Sequence, residues 1–187
     1  MSFYEIMTQV IGYCATVLTI SSFQFKTQKG IMAVQSISTV LWTVHFFMLG
    51  AISGSLLNLM CAVRSMIYAK RSTKAWARHI SWVYIFTVAA LVIYALQFLV
   101  LDMEFNTKNA IVQFLPTLGV IATNIGYRLD TGFKVRCSQF ISSPTWLTYN
   151  AFSGSVGGVI TEIISFCSAI IGVIRHDIKD LKKKKQQ

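Results

Sequence analysis

Two tryptophans of this chain are each followed, sixteen residues later, by a strongly polar side chain within a long apolar stretch. Trp42 precedes Asn58, and Trp146 precedes Glu162. An indole face packs against a ring or an apolar skeleton, an amide donates and accepts hydrogen bonds, and a carboxylate supplies a charge or a titratable proton. Because polar groups are costly in such apolar surroundings and mark functional sites, these four residues are candidate ligands of a small polar solute.

The elements that must position these residues follow from the distribution of charge. Asp, Glu, Lys and Arg make up only 13% of the 187 residues, apolar residues make up 54%, and the mean hydropathy is +0.57. Five runs carry no charged residue: 6–25, 30–63, 79–101, 109–127 and 137–161. About 20 apolar residues cross roughly 30 Å of hydrocarbon. The composition therefore excludes a soluble globular protein, a secreted disulfide scaffold and a disordered chain, and it predicts a polytopic membrane protein.

Two of these runs contain more than one membrane span. As a single helix, 30–63 would measure about 51 Å at ~1.5 Å per residue, so the chain is expected to turn back near Gly50 and Gly54. The run 137–161 has a comparable turn, rich in Gly and Ser, at 153–158. We therefore predict an all-α membrane protein with seven transmembrane helices, near 4–25, 31–49, 52–70, 80–101, 109–128, 135–153 and 156–174.

Basic residues between the predicted spans fall almost entirely on one side of the membrane. Fifteen of the 17 Lys and Arg lie on that side, Lys108 lies on the other, and Arg64 lies inside a span. Cytoplasmic loops carry an excess of Lys and Arg, so the N-terminus is predicted outside and the C-terminus in the cytoplasm. The basic cluster Lys182–Lys185 follows the last span and predicts contact with anionic lipid rather than with nucleic acid.

Familiar catalytic and metal-binding patterns are absent from the sequence. It has no glycine-rich nucleotide loop, no HExxH and no GxSxG. Its four cysteines have neither CxxC nor paired-His spacing, and we interpret them as small apolar packing residues. No enzymatic activity, cofactor or metal site is predicted; the predicted partners are the lipid bilayer and a small polar solute.

The chain matches itself, without a gap, at an offset of 104 residues. The matched pairs include Thr19–Thr123, Gln35–Gln139, Trp42–Trp146, Gly50–Gly154 and Arg71–Arg175. Helices 1–3 thus correspond to helices 5–7, and helix 4 connects two parallel copies related by an axis along the membrane normal. The predicted divisions are a first three-helix bundle at 1–71, a linker helix at 72–104, a second bundle at 105–175 and a basic cytoplasmic tail at 176–187.

This 3+1+3 arrangement of parallel triple-helix bundles resembles the SWEET and PQ-loop superfamily. The segment from His45 to Gly50 with Asn58 and Arg64, and the segment from Trp146 through Glu162 to Arg175, are similar to the YgjV-type family of bacterial inner-membrane proteins. The resemblance implies that fold and an inner-membrane location, but no particular substrate. One difference is that neither repeat has a Pro near the inner end of its first helix, where PQ-loop and SWEET proteins commonly have one.

In SWEET-type sugar transporters, a Trp and an Asn from each bundle line a central pocket. The resemblance implies such a pocket at Trp42, Asn58 and Trp146, with Glu162 in the fourth position, and hence a transporter of a small polar solute. The carboxylate in place of an amide argues against an unchanged sugar specificity. A receptor or accessory protein that uses the same cleft for recognition is the alternative, because this architecture also hosts such roles.

Four further residues are secondary site candidates: His45, Tyr149, Asn150 and Arg64. His45 is either a member of a proton relay or a packed, hydrogen-bonded side chain. Arg64 either snorkels towards the cytoplasm or pairs with Glu162, and a difference in height of about 9 Å favours snorkelling. Asn58 itself either binds the solute or joins neighbouring helices by a hydrogen bond.

Overall fold

The structure, a computed structural model, describes residues 3–50, 52–100, 103–129, 131–152 and 156–178. Within these ranges it contains seven α-helices and no strand. The helices are α1 (Phe3–Ser22), α2 (Gln28–Met48), α3 (Ile52–Ala69), α4 (Ser81–Leu99), α5 (Thr107–Arg128), α6 (Gly132–Phe152) and α7 (Val156–Gly172). A short 3₁₀ turn at Trp76–Arg78 precedes α4, and α7 continues as a π-helical segment at Val173–Ile178. The prediction of seven helices is confirmed, with ends that differ by a few residues.

Local chemistry explains several helix ends. The Thr27 side chain accepts a hydrogen bond from the Gly30 amide at the start of α2, and Asn106 accepts one from the Asn109 amide at the start of α5. Both are N-caps that satisfy a backbone donor which the first helical turn leaves free. Gly50 has a φ of +72°, which glycine adopts without steric cost, and it reverses the chain between α2 and α3. Of the second predicted turn, at 153–158, residues 153–155 lie outside the described residues, and 156–158 belong to the first turn of α7.

Among the described residues, five segments are long and apolar enough to cross a membrane: α1, α2, α4, α5 and Gly158–Ile178, which contains most of α7. The two remaining helices, α3 and α6, carry polar side chains that face the interior of the protein. Arg64 and Ser65 of α3 and Arg136 and Ser143 of α6 are all at most 3% exposed. Large apolar side chains instead cover the outside of the helices. This inverted distribution is typical of a membrane protein, in which small and polar residues form the helix contacts.

The helices pack in two groups of three consecutive members. In the first group α2 lies between α1 and α3, and in the second α6 lies between α5 and α7. The groups meet where α1 contacts α7, α3 contacts α5, and α2 contacts α6. Helix α4 packs against α3 and α5. The candidate residues on α2, α3, α6 and α7 are thereby held around a common interior.

We call the end of the bundle where α1, α3, α5 and α7 finish the basic end, because the described Lys and Arg residues concentrate there. Its centre is a core that contains Phe23, Tyr68 and Tyr127. The first residues of the predicted tail pack there too, since Asp177 lies 2.7 Å from Arg136. Asp102 and Lys182–Lys185, on which part of the orientation and the lipid contact depend, lie outside the described residues.

Candidate functional site

A cavity of about 610 Å³ lies between the two groups of helices. This volume is within the range of ligand pockets, roughly 300–1,000 Å³. Six helices line the cavity and α4 supplies no lining residue. Hydroxyl, amide and aromatic side chains dominate its wall. The residues that give it this character are Gln9, Tyr13, Thr16, Thr19, Gln35, Thr39, Trp42, His45, Phe46, Asn58, Arg64, Thr123, Tyr127, Gln139, Ser142, Trp146, Asn150, Thr161, Glu162 and Ser165.

Both candidate tryptophans line this cavity, in different surroundings. The indole N–H of Trp42 donates to Thr19 Oγ1 at 3.2 Å, and its ring stacks on Phe46 at a centroid distance of 5.7 Å. Trp146 packs against an apolar cluster that contains Cys61 and Val120. Two rigid aromatic faces on opposite groups of helices therefore border the same space, and each can pack against an apolar skeleton or a ring.

Asn58 also lines the cavity, but its hydrogen bond does not join two helices. Its Nδ2 donates to the carbonyl of Gly54, four residues earlier in α3, at 2.9 Å. The side chain is half-buried. Because one N–H of an amide satisfies the backbone of its own helix, the remaining donor and the oxygen are the groups that can meet a solute.

Glu162 lies where α6 and α7 meet, at the edge of the cavity. It lines the main cavity and also a smaller pocket of about 170 Å³, whose wall includes Pro144, Leu147 and Phe166. The carboxyl lies beside Ser143, a buried hydroxyl without a hydrogen bond of standard geometry. The carboxylate therefore has the cavity on one side and an apolar pocket on the other, where a charge is costly.

Of the four secondary candidates, His45, Asn150 and Arg64 line the cavity and Tyr149 does not. His45 lines the cavity, and its Nδ1 donates to the carbonyl of Thr8 at 2.8 Å. Asn150 lines the cavity beside Gly158. Tyr149 is not a lining residue; its ring packs edge-on against Trp146 at 5.9 Å. This hydrogen bond packs His45 against α1, and its membership of a proton relay stays a prediction.

The preferred interpretation of Arg64 was wrong. Its side chain is 3% exposed and does not snorkel towards the basic end. Nη1 donates instead to the carbonyl of Val120 at 3.0 Å and to Thr123 Oγ1 at 3.1 Å, both on α5. The guanidinium carbon lies 4.9 Å from the centre of the Tyr127 ring. The carbonyl, hydroxyl and aromatic ring on α5 take the place that water would have around a snorkelling guanidinium.

Sequence reasoning did not select most of the hydroxyl and amide residues of the wall. The 104-residue offset is a signal that could have indicated some of these residues. Seven pairs of lining residues stand 104 positions apart. The pairs are Thr16–Val120, Thr19–Thr123, Gln35–Gln139, Trp42–Trp146, Phe46–Asn150, Asn58–Glu162 and Cys61–Ser165. The candidate residues thus form part of a wall in which the two groups of helices supply corresponding positions.

The two ends of the cavity differ in closure. At the basic end, Gln28 Nε2 donates to the carbonyls of Tyr68 and Tyr127, both at 3.1 Å, which joins α2 to α3 and α5. Arg136 is fully buried there and donates to the carbonyls of Phe23 and Phe25. At the opposite end, the lining residues Gln9, Tyr13 and Leu49 are exposed. Packed contacts therefore close the cavity at the basic end, and we call the other end, where these lining residues are exposed, the open end.

Apolar helices long enough to cross a membrane, packed around a polar interior, are typical of a polytopic membrane protein. The sequence model of the Imp-YgjV family, bacterial inner membrane proteins, matches residues 6–180. The chain belongs to this family and is a protein of the bacterial inner membrane. It is 24% identical over 158 residues to the inner membrane protein YgjV of Escherichia coli strain K12, covering 83% of this chain and 76% of that relative. No solved structure matches the chain significantly.

Proposed function

We propose that this protein moves a small polar solute across the inner membrane through the cavity, without changing the solute chemically. The observation that carries the proposal is a cavity of solute size, lined by polar and aromatic side chains from both groups of helices and closed at one end. A barrier at one end and an opening at the other is one of the states that alternating access requires.

We infer further that α1–α3 and α5–α7 are two parallel copies of one unit around a pseudo-two-fold axis, with α3 and α6 also crossing the membrane. Such an axis relates α1 to α5, α2 to α6 and α3 to α7. It therefore exchanges the α3–α5 contact with the α7–α1 contact and maps the α2–α6 contact onto itself, and these three are the contacts between the groups. The seven lining pairs at the 104-residue offset support the same symmetry. The proposed fold is of the SWEET and PQ-loop kind.

The basic end is proposed to face the cytoplasm and the open end the outside. The Lys and Arg residues of the described loops support this orientation, since cytoplasmic loops retain positive charge. In this state, a solute would enter from outside and meet Trp42 and Trp146. Asn58 would hydrogen-bond it, and Glu162 would supply a charge or exchange a proton.

Uptake into proteoliposomes tests the proposal directly. A panel of radiolabelled amino acids, organic acids, sugars and polyols would be offered to purified, reconstituted protein, after a thermal-stability screen has selected solutes that bind. Trp42→Ala and Trp146→Ala should each reduce uptake of the selected solute. Trp82→Phe is the matched control, because Trp82 lies on α4 and its indole donates to the Trp76 carbonyl outside the cavity. Uptake equal to that of empty liposomes for every binding solute would contradict transport.

A receptor or accessory role is the second candidate, and the closed basic end favours it. A protein that only recognises a solute needs an opening at one face, whereas a transporter must also open at the other. A cysteine at Thr123, deep in the cavity, distinguishes them in a variant without the native cysteines. Labelling from both faces supports transport, while labelling from the open end alone, with and without a bound solute, supports recognition.

A further inference from the structure

The part of the cavity nearest the basic end contains a buried cation. Arg64 is 3% exposed, and no carboxylate of the described residues lies within ion-pair distance of its guanidinium. A buried guanidinium without a counter-ion is costly, since buried charges in proteins are paired or bind ions. An anion that enters the cavity would offset this cost.

The hydrogen bonds of Arg64 leave one edge of the guanidinium unused. Nη1 donates to Val120 and Thr123 on α5, whereas Nε, although buried, has no hydrogen-bond partner among the described residues. Nη2 donates to none of these residues either. Nε and Nη2 form the edge that binds both oxygens of a carboxylate at once. The α5 contacts therefore fix one side of the planar group and leave its carboxylate-binding side free.

The aromatic groups nearby add a second element of recognition. The Tyr127 ring lies against the Arg64 guanidinium at 4.9 Å and holds its plane. Trp146 packs against the apolar cluster that contains Cys61 and Val120. Cys61 lies one helical turn before Arg64, and the Val120 carbonyl accepts a hydrogen bond from Arg64. An apolar or ring-shaped body attached to an anion on Arg64 would therefore meet the Trp146 indole.

We propose that Arg64 binds the carboxylate of a small organic acid, whose apolar body packs against Trp146. This inference rests on the proposed function and names the solute class that the cavity accepts. The Arg64 edge takes the two carboxylate oxygens, Thr123 and Val120 keep the guanidinium in place, and Trp146 selects for a carbon skeleton over an inorganic anion.

Benzoate and benzamide form a probe pair of nearly equal shape and different charge. Purified protein should gain thermal stability with benzoate, and much less with benzamide or inorganic phosphate. In Arg64→Gln, the apparent affinity for benzoate should fall about tenfold or more, as expected for loss of a charge-assisted hydrogen bond. Arg64→Lys should retain part of the affinity, because a point charge replaces the planar fork. Arg78→Gln removes an exposed guanidinium at the basic end and should bind benzoate like the wild type.

A wild-type measurement keeps the inference testable if the Arg64 variants do not fold. Photolysis with 4-azidobenzoate should label peptides that contain Cys61, Val120 or Trp146, and excess benzoate should block the labelling. Equal stabilisation by benzoate and benzamide, benzoate binding that persists in Arg64→Gln, or labelling confined to the basic end would overturn it. If benzoate binds but no solute is taken up, the Arg64 site is supported and transport is contradicted. If a neutral solute is taken up, and neither benzoate nor Arg64→Gln changes that uptake, the Arg64 site is overturned and transport is supported.

Discussion

Arg64 and Ser168 stand 104 residues apart, and each makes a hydrogen bond at a contact between the two helix groups. Arg64 joins α3 to α5 through the Val120 carbonyl, and the Ser168 hydroxyl joins α7 to α1 by donating to the Ile20 carbonyl at 2.6 Å. Gln24 strengthens the second contact by donating to Ser168. The Arg64 donor is charged, whereas the Ser168 donor is a neutral hydroxyl. The two positions therefore differ: Arg64 places a cation that lines the cavity beside α5, whereas Ser168, which does not line the cavity, places a hydroxyl beside α1.

The orientation can be checked by labelling single cysteines with an impermeant maleimide. In a variant without native cysteines, Glu104→Cys lies in the exposed loop before α5 and Lys74→Cys in the exposed loop before α4. Spheroplasts should label the first directly and the second only after permeabilisation, because the basic end is proposed to face the cytoplasm. Direct labelling of Lys74→Cys together with protection of Glu104→Cys would reverse the orientation.

Glu162→Gln separates a functional carboxylate from a structural one. Gln keeps the shape and the hydrogen-bonding capacity of the side chain but can neither carry a charge nor release a proton. If Glu162 couples solute to protons, uptake by the variant should lose its pH dependence while expression and folding are preserved. The measurement is uptake across a range of pH, with Glu104→Gln as the control on an exposed carboxylate. A pH profile unchanged from the wild type would assign Glu162 no role in coupling.

Gly12 makes room for the imidazole of His45, and their coupling is measurable. A Cβ on Gly12 would lie 2.8 Å from His45 Cε1 and Nδ1, closer than packed carbon atoms approach. Gly12→Ala should therefore reduce the free energy of unfolding by about 1–3 kcal/mol. Because His45→Ala removes the clashing ring, adding Gly12→Ala to it should cost much less. A double-mutant cycle from unfolding in detergent gives the coupling, and additive effects would show that the α1–α2 contact adapts instead.

The ion pair between Arg136 and Asp177 stabilises the closed basic end. Nη1 of the fully buried Arg136 lies 2.7 Å from Asp177 Oδ2, and Nε donates to the Phe23 carbonyl at 3.0 Å. Asp177→Asn should lower the free energy of unfolding by about 1–3 kcal/mol, because it weakens the partner of a buried charge. It should also increase labelling of a Thr123→Cys cavity cysteine from the basic end. If Asp177→Asn has the same free energy of unfolding and the same labelling rate as the control Glu104→Gln, other contacts keep the basic end closed.

The sequence alone determined the features that depend on one-dimensional spacing. Runs without charge predicted where the helices lie, because crossing hydrocarbon requires a set length of apolar residues. The 104-residue offset related Trp42 to Trp146 and Asn58 to Glu162, and all four residues line one cavity. Such predictions succeed because hydropathy, turn residues and internal repetition are properties of the chain itself.

Only the tertiary structure decided which way the polar side chains turn and what they meet. Arg64 finds acceptors on Val120 and Thr123, far along the chain, and Asn58 bonds within its own helix. Tyr149, adjacent to a lining residue, packs on Trp146 instead of facing the cavity. The physical reason is that the rotation of each helix is set by its packing against the neighbouring helices, and a shift of one position along a helix turns a side chain by about 100°.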